Sequence, residues 1–310
     1  MPNQTTPLRE TRVLGDWGSS HLRLWRESPH SDGIGPWHDG PGIGALDRPA
    51  SAVLRELLAD LPYGERAKSI TLCGMAGARG GLHEAPYVDC PASPVDWSRS
   101  AIRIDFDGIP LTIAAGVATP VGAGRAEVMR GEETQVFGAI AHEGRLAIGR
   151  HTLLLPGTHS KWVTIDGGAI VDFATALTGE LYAALLRSSL TSIPGPDTED
   201  GGRPGMFEGF LEARDRPGLL GALFQARSRQ LRMDRSHAWA RDYLSGLLIG
   251  NEIAEMAVRF GNPPSVTVIG EPLLALRYFA ALPAFGIAAQ VLMPSDCTLA
   301  GLEICDAHTR

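Results

Sequence analysis

The 310-residue chain holds only four cysteines, Cys73, Cys90, Cys297 and Cys305, and no two of them form a CxxC pair. Its nine histidines supply neither an HExxH pattern nor a Cys/His ligand spacing. Both shortages point to a reducing cytoplasm without a structural metal, with each thiol expected as a small buried apolar group. Positive charge is also short, since 28 Lys and Arg against 35 Asp and Glu leave a formal charge of −7. That balance argues against a nucleic acid or an anionic membrane as partner, because both call for clustered cations. Long apolar runs are missing too. The longest uncharged stretches, Gly108 to Gly124 and Tyr278 to Ser295, are broken by Pro and Gly, so neither reads as a membrane span. The opening MPNQTTPLRE lacks the basic-then-apolar pattern of an export signal.

What is present is ordinary globular composition, 44% hydrophobic and 20% charged, with 37 Gly and 22 Pro that imply many tight connections. The length favours two compact lobes over one core. Strands are expected at Arg12–Gly15 and Leu22–Glu27, with a third near Ile34–His38. A helix follows in DRPASAVLRELLAD, where Asp47 can cap, Pro49 sits in the first turn, and Val53, Leu54, Leu57 and Leu58 share one face. The short strand SITLCG ends in the loop GMAGARGGLHEAPY. AIRIDFDGIPLTIAAGV reads as two strands around an Asp107-Gly108 turn. MRGEETQVFGAIAHEG then reads as a helix with acids in its first turn.

From residue 150 the layout repeats. RHTLLLPGTHSKWVTIDGGAIVDFATALTGELYAALLRS gives strand, Gly turn with hydroxyls, strand, Asp166-Gly167 turn, strand and a helix from about Thr178. A βββα unit seen twice in one chain predicts two similar lobes facing each other across a cleft. The last third supplies the helices GLLGALFQARSRQL and HAWARDYLSGLLIGNEIAEMAVRF, a buried strand SVTVIG, a helix in EPLLALRYFAAL and a strand AAQVLMP. A terminal helix, SDCTLAGLEICDAH, is expected to be capped by Ser295 or Asp296.

Two turns carry candidate chemistry. Asp16-Trp17-Gly18-Ser19-Ser20 places a carboxylate at the end of a buried strand, followed by backbone N–H groups and two hydroxyls. Such a turn can bond phosphate oxygens while the carboxylate orients a hydrated Mg²⁺, which keeps several waters. Taken alone, it reads first as a plain hairpin turn. Pro156-Gly157-Thr158-His159-Ser160-Lys161 closes the matching strand of the second block. There His159 is either a phosphate contact or a satisfied turn histidine, and Lys161 either functional or a solvated strand residue.

The stretch from Asp16 to Arg23 is similar to the phosphate-1 motif of the sugar kinase/Hsp70/actin superfamily, and LLLPGTHSKWV resembles its phosphate-2 turn. More narrowly, DWGSSHLRLW, GMAGARGGLHEAPYVDCPA, VMRGEETQVFG, LPGTHSKWV, TALTGELYAALLRSSL and YLSGLLIGNEI resemble, in family order, the 2-dehydro-3-deoxygalactonokinases. Ser19-Ser20 stands where Thr-Thr is more usual in that family, a change that keeps both hydroxyls. The resemblance implies an α/β fold of two lobes of duplicated ribonuclease H-like βββαβαβα type around an interlobe cleft. Residues 1–143 would form an N-terminal lobe with the phosphate-1 loop and the sugar-acid site. Residues 144–310 would form a C-terminal lobe with the phosphate-2 loop and the adenosine site, and the terminal helix near 296–308 would return toward the first lobe.

The implied reaction is ATP-dependent phosphorylation of the terminal 6-hydroxyl of 2-dehydro-3-deoxy-D-galactonate, giving its 6-phosphate and ADP in galactonate and galactose catabolism. On that reading Asp16 positions Mg²⁺ through water, and Gly18, Ser19, Ser20, Arg23, Gly157, Thr158 and His159 hold phosphates. Glu133 is the first choice for the base that accepts the hydroxyl proton and Glu132 the second, with a helix-stabilising acidic pair as the structural alternative. The substrate carboxylate calls for a guanidinium, for which Arg79 and Arg130 are candidates, with Glu84 and Tyr87 for hydroxyls. Gly270 ends the strand expected beside the adenine. Partners are therefore a small sugar acid and ATP, with a homodimer left open. The competing readings are a kinase of another keto-deoxy sugar acid or a hexose, and an ATP or polyphosphate hydrolase.

Overall fold

The computed structural model describes residues 8–27, 33–122, 124–188, 190, 203–216 and 218–307. Residues 1–7 of the opening segment and residue 308, the expected end of the terminal helix, lie outside the described residues. The fold is α/β with mixed sheets, and the chain divides into two compact units. One takes the residues up to Ile148, a short piece at Gly167–Val171 and the carboxyl end from Ser295; the other takes Gly149–Asp166 and Asp172–Pro294.

In the first unit β1 (Arg9–Trp17), β2 (His21–Glu27) and β3 (Ile34–Pro41) form an antiparallel meander. Then come α1 (Ala50–Ala59), β4 (Glu65–Gly74), β5 (Tyr87–Asp89), α2 (Pro94–Arg99), β6 (Ile102–Phe106), β7 (Ile109–Ile113), β8 (Gly116–Ala118), β9 (Val128–Met129) and α3 (Glu132–His142). The main sheet runs β3-β2-β1-β4-β7-β6, with β4 parallel to both β1 and β7. Asp107 and Gly108 both take positive φ, 54° and 85°, as a tight hairpin between β6 and β7 requires. Alternation along β1 and β2 sends Val13, Trp17, Leu22 and Leu24 into a core with Ile70, Leu72, Leu111 and Ile113, which α1 covers with Val53 and Leu54. Asp47 does not cap α1. The N-cap is Pro49, without a side-chain hydrogen bond, because the helix begins two residues later than that carboxylate could serve.

The second unit repeats the meander with β10 (Arg150–Leu155), β11 (Ser160–Asp166) and β12 (Ala169–Ala176), followed by α4 (Thr178–Leu186). It continues with α5 (Arg203–Asp215), α6 (Leu219–Met233), α7 (His237–Arg259), β13 (Ser265–Ile269), α8 (Pro272–Ala281) and β14 (Ala288–Leu292). Its sheet order is β12-β11-β10-β13-β14, with β13 parallel to β10 and β14. Gly205 and Gly209 interrupt the helical pattern of α5 in the sequence. Those glycines let it press against α7: a Cβ on Gly205 or Gly209 would overlap the backbone of Trp239 or Tyr243. Packing there outweighs propensity.

The last helix, α9 (Pro294–Ala307), belongs to the first unit. It starts at Pro294, so Ser295 and Asp296 lie within its first turn rather than capping it. Gly138 of α3 and Gly301 of α9 make the crossing possible, since a Cβ on either would overlap the carbonyl of Cys297 or of Thr134. Asp306 fixes the far end by accepting from Arg12 Nη1 at 2.7 Å and from Thr71 Oγ1 at 3.4 Å. All four cysteines are buried. Among the described residues no helix is long and apolar enough to cross a membrane, and no cluster of three metal-ligating side chains occurs.

Candidate active site

Asp16 lies near the carboxyl end of β1, in register with Arg23 of β2 on one side and Cys73 of β4 on the other. Because β1 and β4 are parallel, both strands end at the same edge, the edge where open α/β sheets place ligands. The turn after Asp16 is a hairpin: the Gly18 N–H donates to the His21 carbonyl at 2.8 Å, so that amide is already committed. Ile43 and Gly44 donate from outside to the carbonyls of Gly18 and Ser19, each at 3.0 Å. The turn is thus pinned through its carbonyls, while Ser19 and Ser20 stay exposed. Arg23 is half-buried beside Asp16 across the ladder.

Two glycines bring three elements together here, and nothing in their sequence spacing announces it. Gly74, at φ 77° and ψ −145°, ends β4 in a conformation that L side chains rarely adopt. A Cβ there would lie 2.8 Å from the Trp17 carbonyl and 3.2 Å from Asp16 Oδ1. Gly131, at φ 110°, starts α3 within a similar distance, its absent Cβ 3.2 Å from Gly74 Cα. The Cys73 thiol reaches Asp16 Oδ1 at 3.6 Å, and burial, reinforced by the charges of Asp16 and Glu133, pushes its pKa well up.

The two acids of α3 are not equivalent. Glu133 is completely buried, and both its oxygens accept the Gly131 N–H at 2.8 Å. Glu132 is only half-buried, with Oε2 accepting the Arg130 N–H at 3.1 Å. Both therefore serve the helix start. Burial first, and the Glu132 carboxylate second, raise Glu133 from 4.5 to about 8. Between those values the folded chain holds a proton that the unfolded chain has released, so this group's contribution to stability falls as pH rises. Urea unfolding is expected to show the parent losing about 1.4 kcal/mol per pH unit relative to Glu133→Gln across that window. A parent-minus-variant difference that is flat with pH would contradict it.

The loop residues sort into two pairs. Arg79 is 90% exposed, with Nε 3.7 Å from Glu84 Oε2. Arg130 stacks over the half-exposed Tyr87 ring at 4.3 Å and donates from Nη2 to the Ala85 carbonyl at 2.8 Å. Its Nε and Nη1 are buried without a hydrogen-bond partner among the described residues, packed against Gly77.

In the second unit the turn from Pro156 to His159 joins β10 to β11. Thr158 and His159 are exposed. Gly157 has no positive φ, and a Cβ there would meet nothing within 4 Å, so neither its own backbone nor its neighbours require glycine. The start of α4 presses on this turn, a contact without a sequence signal beyond the TALTGEL block. The Glu180 N–H donates to the Thr158 carbonyl at 3.0 Å, and His159 Nε2 sits 2.6 Å from Glu180 Oε2. Lys161 is not solvated: it is 5% exposed and donates from Nζ to Thr175 Oγ1 at 2.9 Å. Gly270 is buried, and a Cβ there would lie 3.1 Å from Pro156 Cδ, which makes it a packing partner of the same turn.

A model of the family described as 2-keto-3-deoxy-galactonokinase matches residues 16–304. A Rhizobium meliloti (strain 1021) protein named as a 2-dehydro-3-deoxygalactonokinase is 32% identical over 291 residues, covering 93% of this chain and 94% of that protein. The Escherichia coli (strain K12) 2-dehydro-3-deoxygalactonokinase is 30% identical, with the same coverage. A crystal structure from Sinorhizobium meliloti, described as a protein of the same kind, superposes with a TM-score of 0.83 at 31% identity, covering 96% of this chain and 99% of the other. With the family match spanning both candidate turns and the relatives aligned over almost their full lengths, the chain belongs to the 2-keto-3-deoxy-galactonokinase family.

Proposed function

We propose that the chain is an ATP-dependent kinase that transfers a phosphoryl group to the terminal 6-hydroxyl of 2-dehydro-3-deoxy-D-galactonate, releasing the 6-phosphate and ADP, in galactonate catabolism. The observation that carries this reading is the convergence of Asp16, Gly74 and the Glu132/Glu133 pair at the shared end of β1 and β4. Phosphoryl transfer needs charge neutralisation, positioning and a proton acceptor more than covalent chemistry, and this edge offers an acceptor together with a carboxylate, Asp16, that would hold a neutralising cation. The matching sheet orders β3-β2-β1-β4-β7 and β12-β11-β10-β13-β14 support two lobes of duplicated ribonuclease H-like type.

Within this reading the exposed hydroxyls of Ser19, Ser20 and Thr158, with Arg23 and His159, bind phosphate oxygens, while Gly18 and Gly157 give them room. Asp16 is the residue that would hold Mg²⁺, and a single carboxylate fits an ion that keeps most of its waters. Such an ion would supply neutralisation of the phosphate charge. Burial reverses the order of the two acids expected from sequence: Glu132, the second choice, has open surface and accepts the hydroxyl proton, and Glu133, the first choice, is buried and keeps the helix start in place. Arg79 or Arg130 takes the substrate carboxylate, Glu84 and Tyr87 the hydroxyls, and Gly270 lies beside the adenine. Four buried thiols suit a cytoplasmic enzyme.

ADP release measured with 2-dehydro-3-deoxygalactonate, its gluconate epimer and glucose tests the assignment. Turnover with the galactonate compound above the other two is expected. Preference for glucose, or ADP formed without any acceptor, would replace it with the hexokinase or hydrolase reading. Gly157→Ala is expected to keep stability within about 0.5 kcal/mol. The added methyl should nonetheless weaken ATP by roughly tenfold, or about 1.4 kcal/mol. Calorimetry with a non-hydrolysable ATP analogue reads this directly, and unchanged affinity would remove Gly157 from the phosphate site.

A further inference from the structure

Beneath the Pro156–His159 turn lies a buried polar cluster that none of the roles above uses. Glu252 of α7 is 4% exposed, yet its carboxylate is fully partnered. Oε1 accepts from Trp162 Nε1 at 2.8 Å, and Oε2 accepts from the Tyr278 hydroxyl at 2.6 Å and from the Thr178 hydroxyl. The Tyr278 oxygen lies 3.2 Å from Ser160 Oγ. An indole N–H only donates, and a tyrosine that donates to Glu252 has its oxygen free to accept from Ser160. Every proton in the cluster therefore runs toward the one carboxylate. Burial pushes that carboxyl up from its ordinary value, and the donors around it pull the other way.

The two ends of the cluster are the two attachments of the phosphate turn. Ser160 is the residue next after His159. Thr178 opens α4, whose next residues, Gly179 and Glu180, meet the turn directly: a Cβ on Gly179 would overlap the Gly157 carbonyl, and the Glu180 N–H holds the Thr158 carbonyl. A buried carboxylate left with an unpaired charge, or donors left without it, is costly. Moving either attachment therefore disturbs the whole cluster.

We infer that Glu252 is a positioning residue for nucleotide binding: through Tyr278 and Ser160 on one side and Thr178 on the other, it sets the backbone of the Pro156–His159 turn in its phosphate-binding form. The blocks TALTGEL and IGNEI thereby acquire a physical role in the same site. This rests on the kinase reading only for the identity of the ligand.

Tyr278→Phe is the sharpest variant, because it keeps the buried ring and removes only the hydroxyl that Ser160 and Glu252 share, beside the direct bond between those two. Affinity for a non-hydrolysable ATP analogue, measured by calorimetry on the full chain, is expected to fall about tenfold, as for loss of a charge-assisted hydrogen bond. Affinity for the sugar acid is expected to stay unchanged. Glu252→Gln, which keeps the shape and one acceptor, should fall between the parent and Glu252→Ala. Equal analogue affinity in parent and Tyr278→Phe would overturn the inference, and so would equal losses for both ligands, the mark of general loosening. Should Glu252→Ala fail to fold, Tyr278→Phe still decides. A parent that binds the analogue but does not phosphorylate the sugar acid would end the kinase assignment while leaving this test intact.

Discussion

Glu132→Gln is expected to lower kcat for sugar-acid phosphorylation by about 10²- to 10⁴-fold, the usual contribution of a positioned general base, with ATP-analogue affinity unchanged. The expectation follows from how α3 treats its two acids. Glu133 has no exposed surface and spends both oxygens on the Gly131 N–H. With its pKa raised to about 8, it is mostly a neutral acid at pH 7. A buried carboxyl that keeps its proton is a poor acceptor at neutral pH, and Glu132 is the half-exposed member of the pair. Glu133→Gln should then keep most turnover at neutral pH, because the amide resembles the neutral carboxyl it replaces. The opposite pattern would hand the base to Glu133, and kcat would then climb with pH through about 8. Measuring both variants and the kcat profile across that value separates the two assignments.

Much of this site was legible because it is local. The strand-Gly-strand pattern at Val13–Trp25 and its copy at Leu153–Ile165 needed only alternation and turn chemistry, and both hairpins form in register. Asp107-Gly108 and the start of α4 at Thr178 were readable for the same reason. What escaped was set by distant partners. Glu133 is enclosed where α9 arrives: Gly301 packs on Thr134, and Glu133 is near enough to raise the Cys305 thiol. Lys161 is buried because Thr175, on the adjoining strand, takes its ammonium. α5 was hidden by the glycines that its crossing with α7 needs. Glu252 looks in sequence like one polar residue on an amphipathic helix, and only the fold delivers Trp162, Thr178 and Tyr278 to it.

Asp16→Asn is expected to raise the Mg²⁺ concentration for half-maximal turnover by about 10- to 100-fold, the range seen when a group that orients a bound metal is lost. The substitution keeps the shape of the side chain and its place in the β1 ladder between Arg23 and Cys73, so the fold should persist. What it removes is the carboxylate charge of a turn whose Ser19 and Ser20 hydroxyls are exposed. On the proposed reading Asp16 is the carboxylate that would hold the ion, which keeps most of its waters. Loss of one charge should therefore be felt in full rather than shared with neighbours. Ser19→Ala, which removes a phosphate hydrogen bond and no charge, should weaken ATP without moving the Mg²⁺ requirement. Titrating Mg²⁺ at fixed ATP in parent and both variants makes the comparison. If Asp16→Asn leaves the Mg²⁺ curve where it was, the carboxylate at the end of β1 acts on something other than the metal, and its proximity to Gly74 and the start of α3 would then point to the sugar acid instead.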